Sequence, residues 1–185
     1  ISEINISNPE PTPVRITSNN ENAYKPLLIA DNAGIVYLIY EAFIGDRYCL
    51  SARVSSKGIN DFSESIEIGF NENNDQSASA CLHNGRILVA WENSSPLRKD
   101  FEWKNRRGDV TIMPGFGHGW RIESRFGLRR ISFCDDKWNI EDPENCTSLS
   151  PSIEFNSSES AGCPKVLTDE KDNVYIAYLS LPEHR

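Results

Sequence analysis

The sequence predicts an all-β fold: a β-propeller of four-stranded antiparallel blades, of which this chain carries about three, the last of them partial. Three observations predict it. A fifteen-residue segment recurs without gaps as "PLLIADNAGIVYLIY" (26–40), "SASACLHNGRILVAW" (77–91) and "PKVLTDEKDNVYIAY" (164–178), each ending on an aromatic. The residues after the first two copies also repeat, as a strand pattern, a turn and a further strand pattern. No stretch shows helical periodicity, and the one long segment without strand alternation is rich in Gly and Pro, which oppose a helix. Four-strand units repeated at about 40–50 residues are the signature of a propeller.

Each recurrent segment reads as a hairpin. A semi-apolar run leads into a polar turn ("DNAG", "HNG" or "DEKDN"), and the run after it alternates, with Val174, Ile176 and Tyr178 against Tyr175 and Ala177. Inner strands that are apolar on both sides suit a sheet buried on both faces. Tyr40, Trp91 and Tyr178 are then expected to wedge between blades as core, not to serve as ligand platforms. After the first hairpin, "RYCLSARVSS" reads as the third strand, "KGINDF" as a turn and "SESIEIGF" as the fourth. After the second come an insertion, "LRRISFCDD" as the third strand, "KWNIEDPENC" as a turn and "SPSIEF" as the fourth. The leading "PTPVRITSN" matches these fourth strands.

The expected organisation is therefore residues 1–25 as the outer strand of a preceding blade, 26–76 as one blade, 77–163 as a second with a long insertion at 95–127 between its second and third strands, and 164–185 as the first two strands of a further blade. A propeller needs four or more blades. Further blades are expected from the same or another chain, in a larger ring or an oligomer. The competing fold, a β-sandwich, would not require the gapless recurrence.

Composition is that of a globular chain, with 38% hydrophobic and 25% charged residues. No run approaches the roughly 20 apolar residues of a membrane span. The net charge of −8 argues against nucleic acid as a partner. Residues 98–130 nevertheless carry nine cations against four anions, a net +5 that leaves −13 on the rest. Such a segment either receives an anionic ligand or is a solvated loop. The five cysteines form no C-x-x-C pair, which gives a zinc or thioredoxin-like reading little support; no metal and no cofactor are expected. Cys134 and Cys146 flank a short polar stretch and could bridge in an oxidising compartment. Sequons begin at Asn5, Asn93, Asn145 and Asn156. The opening "ISEINISNPE" has no signal-peptide pattern. The sequons lean toward a secreted or cell-surface protein, with the cytoplasm left open.

The stretch "RYCLSARVSSKGINDFSESIEI" (47–68) resembles the repeats of sialidases and their relatives, in which a strand runs into an Asp-box turn. Ser56, Gly58, Phe62 and Ser63 stand roughly where that turn places a serine, a glycine, an aromatic and a following serine. The match departs from the motif: the Asp two residues after the serine is missing, and one residue is inserted before Phe62. In the second unit "CDDKWNIEDPENC" keeps an acidic pair and Trp138 but no glycine. The resemblance implies a propeller whose B–C and D–A loops (those between the second and third strands and between successive units) share the ligand face. Residues 95–127 would lie there with the loops 18–25, 69–76 and 156–163.

The insertion interleaves aromatics (Phe101, Trp103, Phe116, Trp120) with cations, and "PGFGHGW" sets three glycines at alternate positions. A sugar offers an apolar face to Trp and hydroxyls to Asn or Asp, and an acidic sugar adds a carboxylate for Arg. Trp103, Arg106, Arg107, Asp109, His118, Trp120 and Arg121 are the expected ligand contacts. The same loop could instead pack on a neighbouring blade or subunit, with Trp103 and Trp120 as anchors. The chain is thus expected to be one of three things: a non-catalytic module that recognises a carbohydrate or glycoconjugate; part of a sialidase-like glycoside hydrolase acting on terminal acidic sugars, with no catalytic residue assignable; or a protein-interaction scaffold.

Overall fold

The computed structural model describes residues 15–18, 21–56, 61–70, 74–96, 101–105, 107–113, 122–142 and 160–181. All regular structure among them is β, and the sheets are antiparallel. The first sheet joins β1 (Asn22–Ala30), β2 (Val36–Ile44), β3 (Arg47–Ser55) and β4 (Ile66–Glu67) in chain order. The second joins β5 (Asn74–His83), β6 (Arg86–Pro96), β9 (Ile122–Cys134) and β10 (Lys137–Glu141) in the same order. A separate two-stranded hairpin, β7 (Phe101–Lys104) and β8 (Val110–Met113), lies between β6 and β9 in the chain. The last pair is β11 (Ser160–Thr168) and β12 (Val174–Leu181). None of these sheets closes on itself.

The three recurrent segments are three hairpins with one shared irregularity. Lys25 and Pro26 stand opposite Tyr40, Ser77 and Ala78 opposite Trp91, and Cys163 and Pro164 opposite Tyr178. In each case two residues face one, which is a β-bulge. Its first residue has positive φ every time: Lys25 at 47°, Ser77 at 56° and Cys163 at 50°. A bulge leaves one residue outside the ladder, so Pro26 and Pro164, which have no N–H to give, fit there. The gapless alignment holds throughout the first and third copies. In the second it holds for β6 but is one residue out in β5, because Leu82 pairs with Ile87 across four residues where Ala30 pairs with Val36 across five.

Strand alternation then decides what each residue faces. Ile87, Val89 and Trp91 of β6 pack on Tyr37, Ile39, Leu50, Ala52, Val54 and Ile68 of the first sheet. Their neighbours Leu88 and Ala90 turn the other way, onto Val166, Val174 and Ile176 of the third hairpin. Leu38, Tyr40 and Ala42 face away from the second sheet, against Ile16 and Phe62. Aligned residues of the second and third copies thus look toward the preceding unit, and those of the first copy look the same way, away from the second sheet. As expected, Tyr40 and Trp91 are buried; Tyr178 is half-exposed and meets Phe126 of β9 edge to face at 4.9 Å.

Two expectations need correction. The fourth strand of the second sheet is Lys137–Glu141, where the sequence predicts a turn. Asp135 and Asp136 both adopt positive φ (51° and 57°), so the chain reverses within two residues and pairs at once. "SPSIEF" (150–155) lies outside the described residues. At the leading end, 15–18 is not a strand, and 1–14 lies outside the described residues. The β6–β9 ladder also extends to Pro96↔Ile122, which takes residues 122–127 of the insertion into the sheet.

Candidate functional site

The insertion leaves the second sheet at Pro96 and returns at Ile122. Asn74, where the preceding D–A loop enters β5, pairs with Ser94 at that same end. Chain topology therefore brings the insertion and this D–A loop together. The Asp-box-like turn lies at the opposite end. There Ser63 Oγ accepts the Val54 N–H at 3.1 Å, and Phe62 packs against Leu38, Tyr40 and Ala42. Beside it is a recess of about 190 Å³ lined by Val54, Ser56, Asp61, Phe62, Ser63, Phe133 and Asp136. Gly58 lies outside the described residues.

Acids at the loop–strand junctions do work that is not apparent in the sequence. Asp75 is fully buried and accepts hydrogen bonds from Trp91 Nε1 (2.6 Å), Asn93 Nδ2 (2.8 Å) and the Phe70 N–H (2.8 Å). Burial pushes its carboxyl above the ordinary range, against the lowering effect of Asn93 and Trp91. Glu21 accepts from the Tyr40 hydroxyl, and from Arg53 Nη2 at 3.0 Å. Burial alone would raise the Glu21 carboxyl, but the Tyr40 and Arg53 hydrogen bonds outweigh it and hold it below its usual value. Tyr40 and Trp91 thus each have their polar atom capped by an acid from the entry to their own first strand. These acids are not presented to a ligand.

A second device joins the units. Glu41 follows Tyr40, and Glu92 follows Trp91. Glu41 is buried and accepts the Ser77 N–H at 2.6 Å and Lys25 Nζ at 3.0 Å. Glu92 accepts the Cys163 N–H at 3.0 Å. Each carboxylate therefore binds the left-handed bulge residue of the next unit and offsets strain that a non-glycine residue carries there. The sequence does carry a signal for this device: an aromatic followed by Glu in two of the three copies.

The basic character of the insertion region is partly internal. Arg129 Nη1 donates to the Ile68 and Gly69 carbonyls, both at 2.8 Å, and its guanidinium lies 5.0 Å from the Phe70 ring centre. Arg130 is buried, 3.2 Å from His83 Nδ1 and 3.7 Å from Glu141. Arg129 thus ties the second sheet to the end of the first, and Arg130 ties strands within the second sheet.

Of the expected contacts, Arg107 and Asp109 come together in the β7–β8 turn and are exposed. Trp103 is in β7, paired with Thr111. Arg106, His118, Trp120 and Arg121 lie outside the described residues, as does Cys146, the suggested partner of Cys134. The turn is built by Asn105, whose Oδ1 accepts the N–H groups of Arg107 (2.8 Å) and Asp109 (3.0 Å). Asn105 Nδ2 donates to Asp109 Oδ2 at 2.8 Å. Among the described residues no group of three or more His, Cys, Asp or Glu is placed to hold a metal, and no helix is long and apolar enough to cross a membrane.

Fold and site together define a class: an all-β repeat protein of stacked four-stranded antiparallel sheets, with a hairpin arm inserted in the second. Comparison with family models, with curated proteins and with solved structures finds no match for this chain.

Proposed function

We propose that the protein is a recognition module of the sialidase-like propeller type, which binds a carbohydrate or glycoconjugate without catalysis. The observation that carries the reading is that the insertion and a D–A loop emerge at one end of the second sheet, through Pro96↔Ile122 and Asn74↔Ser94. The insertion that leaves from that end carries Trp103, Arg106, Arg107, Asp109, His118, Trp120 and Arg121, residue types suited to the hydroxyls and carboxylate of an acidic sugar. The propeller arrangement is supported by the stacking order, in which aligned residues of successive units face the preceding one.

Leu167, Tyr175 and Leu179, on the outer face of the last hairpin, are each more than half exposed. Tyr175 corresponds to the fully buried Tyr37 and Leu88. This supports further blades packing there, from the same or another chain. A glycan array tests the reading, with acidic glycans expected to bind and Arg107→Ala and Trp120→Ala expected to weaken them at least tenfold. No binding to any glycan would overturn it. Turnover of a fluorogenic sialoside would replace the non-catalytic assignment with a hydrolase.

A further inference from the structure

We infer that the tip of the β7–β8 hairpin is a docking site for a protein receptor that reads an Arg-Gly-Asp tripeptide. Such a receptor offers a bound divalent cation to the Asp109 carboxylate and an acidic pocket to the Arg107 guanidinium. The inference is independent of the glycan reading.

Residues 107–109 are Arg-Gly-Asp, all three exposed, and Val110 beside them is also exposed. They stand at the tip of a hairpin that forms a sheet of its own, paired from Phe101↔Met113 to Lys104↔Val110.

The turn does not require these charges. The same five-residue turn occurs at 31–35 and 169–173. In all three the first residue is Asp or Asn, whose Oδ1 accepts the N–H groups of the third and fifth. In all three the N–H of the first residue bonds the carbonyl of the fifth, and the N–H of the fourth bonds the carbonyl of the first. The fourth residue has positive φ: Gly34 at 82°, Gly108 at 88° and Asp172 at 59°. The third position is Ala33, Arg107 or Lys171, and the fifth is Ile35, Asp109 or Asn173. Asn105 and Gly108 therefore account for the turn, and the Arg107–Asp109 charge pair is surplus to it.

The turn contributes order. Two residues of chain span at most about 7 Å, so the opposite charges are held close on a fixed backbone, and the conformational cost of binding is partly met beforehand. Asn105 takes one oxygen of the Asp109 carboxylate. Monodentate coordination of a divalent cation needs only the other. The guanidinium presents a planar fork suited to paired carboxylates.

The test uses an adhesion-receptor ectodomain shown beforehand to bind a linear Arg-Gly-Asp peptide in Mg²⁺. The full chain should be captured in Mg²⁺, released by EDTA and displaced by a linear Arg-Gly-Asp peptide but not by Arg-Gly-Glu. Asp109→Glu keeps the charge and the turn but lengthens the side chain, and should lower capture at least tenfold with an unchanged melting curve. Arg107→Ala should do the same. Absence of capture of the unmodified protein, capture that survives EDTA, or equal capture of Asp109→Glu would each overturn the inference. Glycan-array silence would leave it standing.

Discussion

Replacing Gly127 with Ala should be among the most damaging single-methyl additions in the described structure. Gly127 lies directly across from Trp91 in the β6–β9 ladder. A Cβ there would sit 1.9 Å from Trp91 Cε2 and 2.2 Å from Cζ2. Ordinary carbon contacts need about 3.5 Å, so the ring must retreat by about 1.5 Å. It has little room to do so, because the indole is fully buried, packs 5.0 Å from Phe70 and donates to Asp75 at 2.6 Å. A retreat of that size breaks the hydrogen bond. Overpacking costs about 1–3 kcal/mol and the stranded indole N–H about 1–3 kcal/mol more, so the expected loss is about 2–6 kcal/mol. For a chain of this size that lowers Tm by about 10 °C, read by calorimetry or far-UV circular dichroism. Gly34→Ala is the control. Gly34 has positive φ (82°) and nothing within 4 Å of a Cβ, so only backbone strain of about 1 kcal/mol is expected. If Gly127→Ala melted within about 2 °C of the parent, or no lower than Gly34→Ala, the wedge packing described for Trp91 would be wrong.

The two capping acids should respond to pH in opposite senses. The Glu21 carboxyl is lowered below its ordinary 4.5, so its contribution is present above that value and lost as pH falls through the folded pKa; Glu21→Gln should cost less at acid than at neutral pH in urea melts. The Asp75 carboxyl is raised above 3.8, so its contribution is full below that value and lost as pH rises through the folded pKa; the cost of Asp75→Asn should grow on acidification. Glu41→Ala strands the Ser77 N–H at the junction of two units and should destabilise by about 2–4 kcal/mol in chemical denaturation; a loss below about 0.5 kcal/mol would show that the bulge needs no carboxylate. Asn93, despite its sequon, is buried with Nδ2 bound to Asp75, so peptide mass mapping after secretory expression should find it unmodified in folded protein.

Much of the architecture was legible because β-structure with a period of two writes its faces into the order of residues. The recurrence ending at Tyr40, Trp91 and Tyr178 marks three hairpins, and alternation in Ile87–Trp91 separates the residues facing the first sheet from those facing the third hairpin. The one-residue slip in β5 was not legible, since a shorter turn moves pairing without changing the apolar pattern. Nor was β10, because a left-handed Asp135–Asp136 turn has the same residue types as any acidic loop. At the candidate site, Arg107 and Asp109 stand out in the sequence by residue type alone, and the structure adds their shared turn.

By itself, the sequence determined that the chain is built of β-hairpins in repeated units and which residues of each strand share a face, because side-chain direction follows from local covalent geometry. Only the tertiary structure decided which polar groups distant in the chain meet. Glu21, Asp75, Glu41, Arg129 and Arg130 look like surface charge in the linear chain, yet each binds a partner at least sixteen residues away, or in another sheet. Such pairings depend on which strands pair and on how the sheets stack. Apart from the Glu that follows Tyr40 and Trp91, no local pattern encodes that, because the desolvation that makes a carboxylate seek an indole or an amide exists only after the sheets have closed over it.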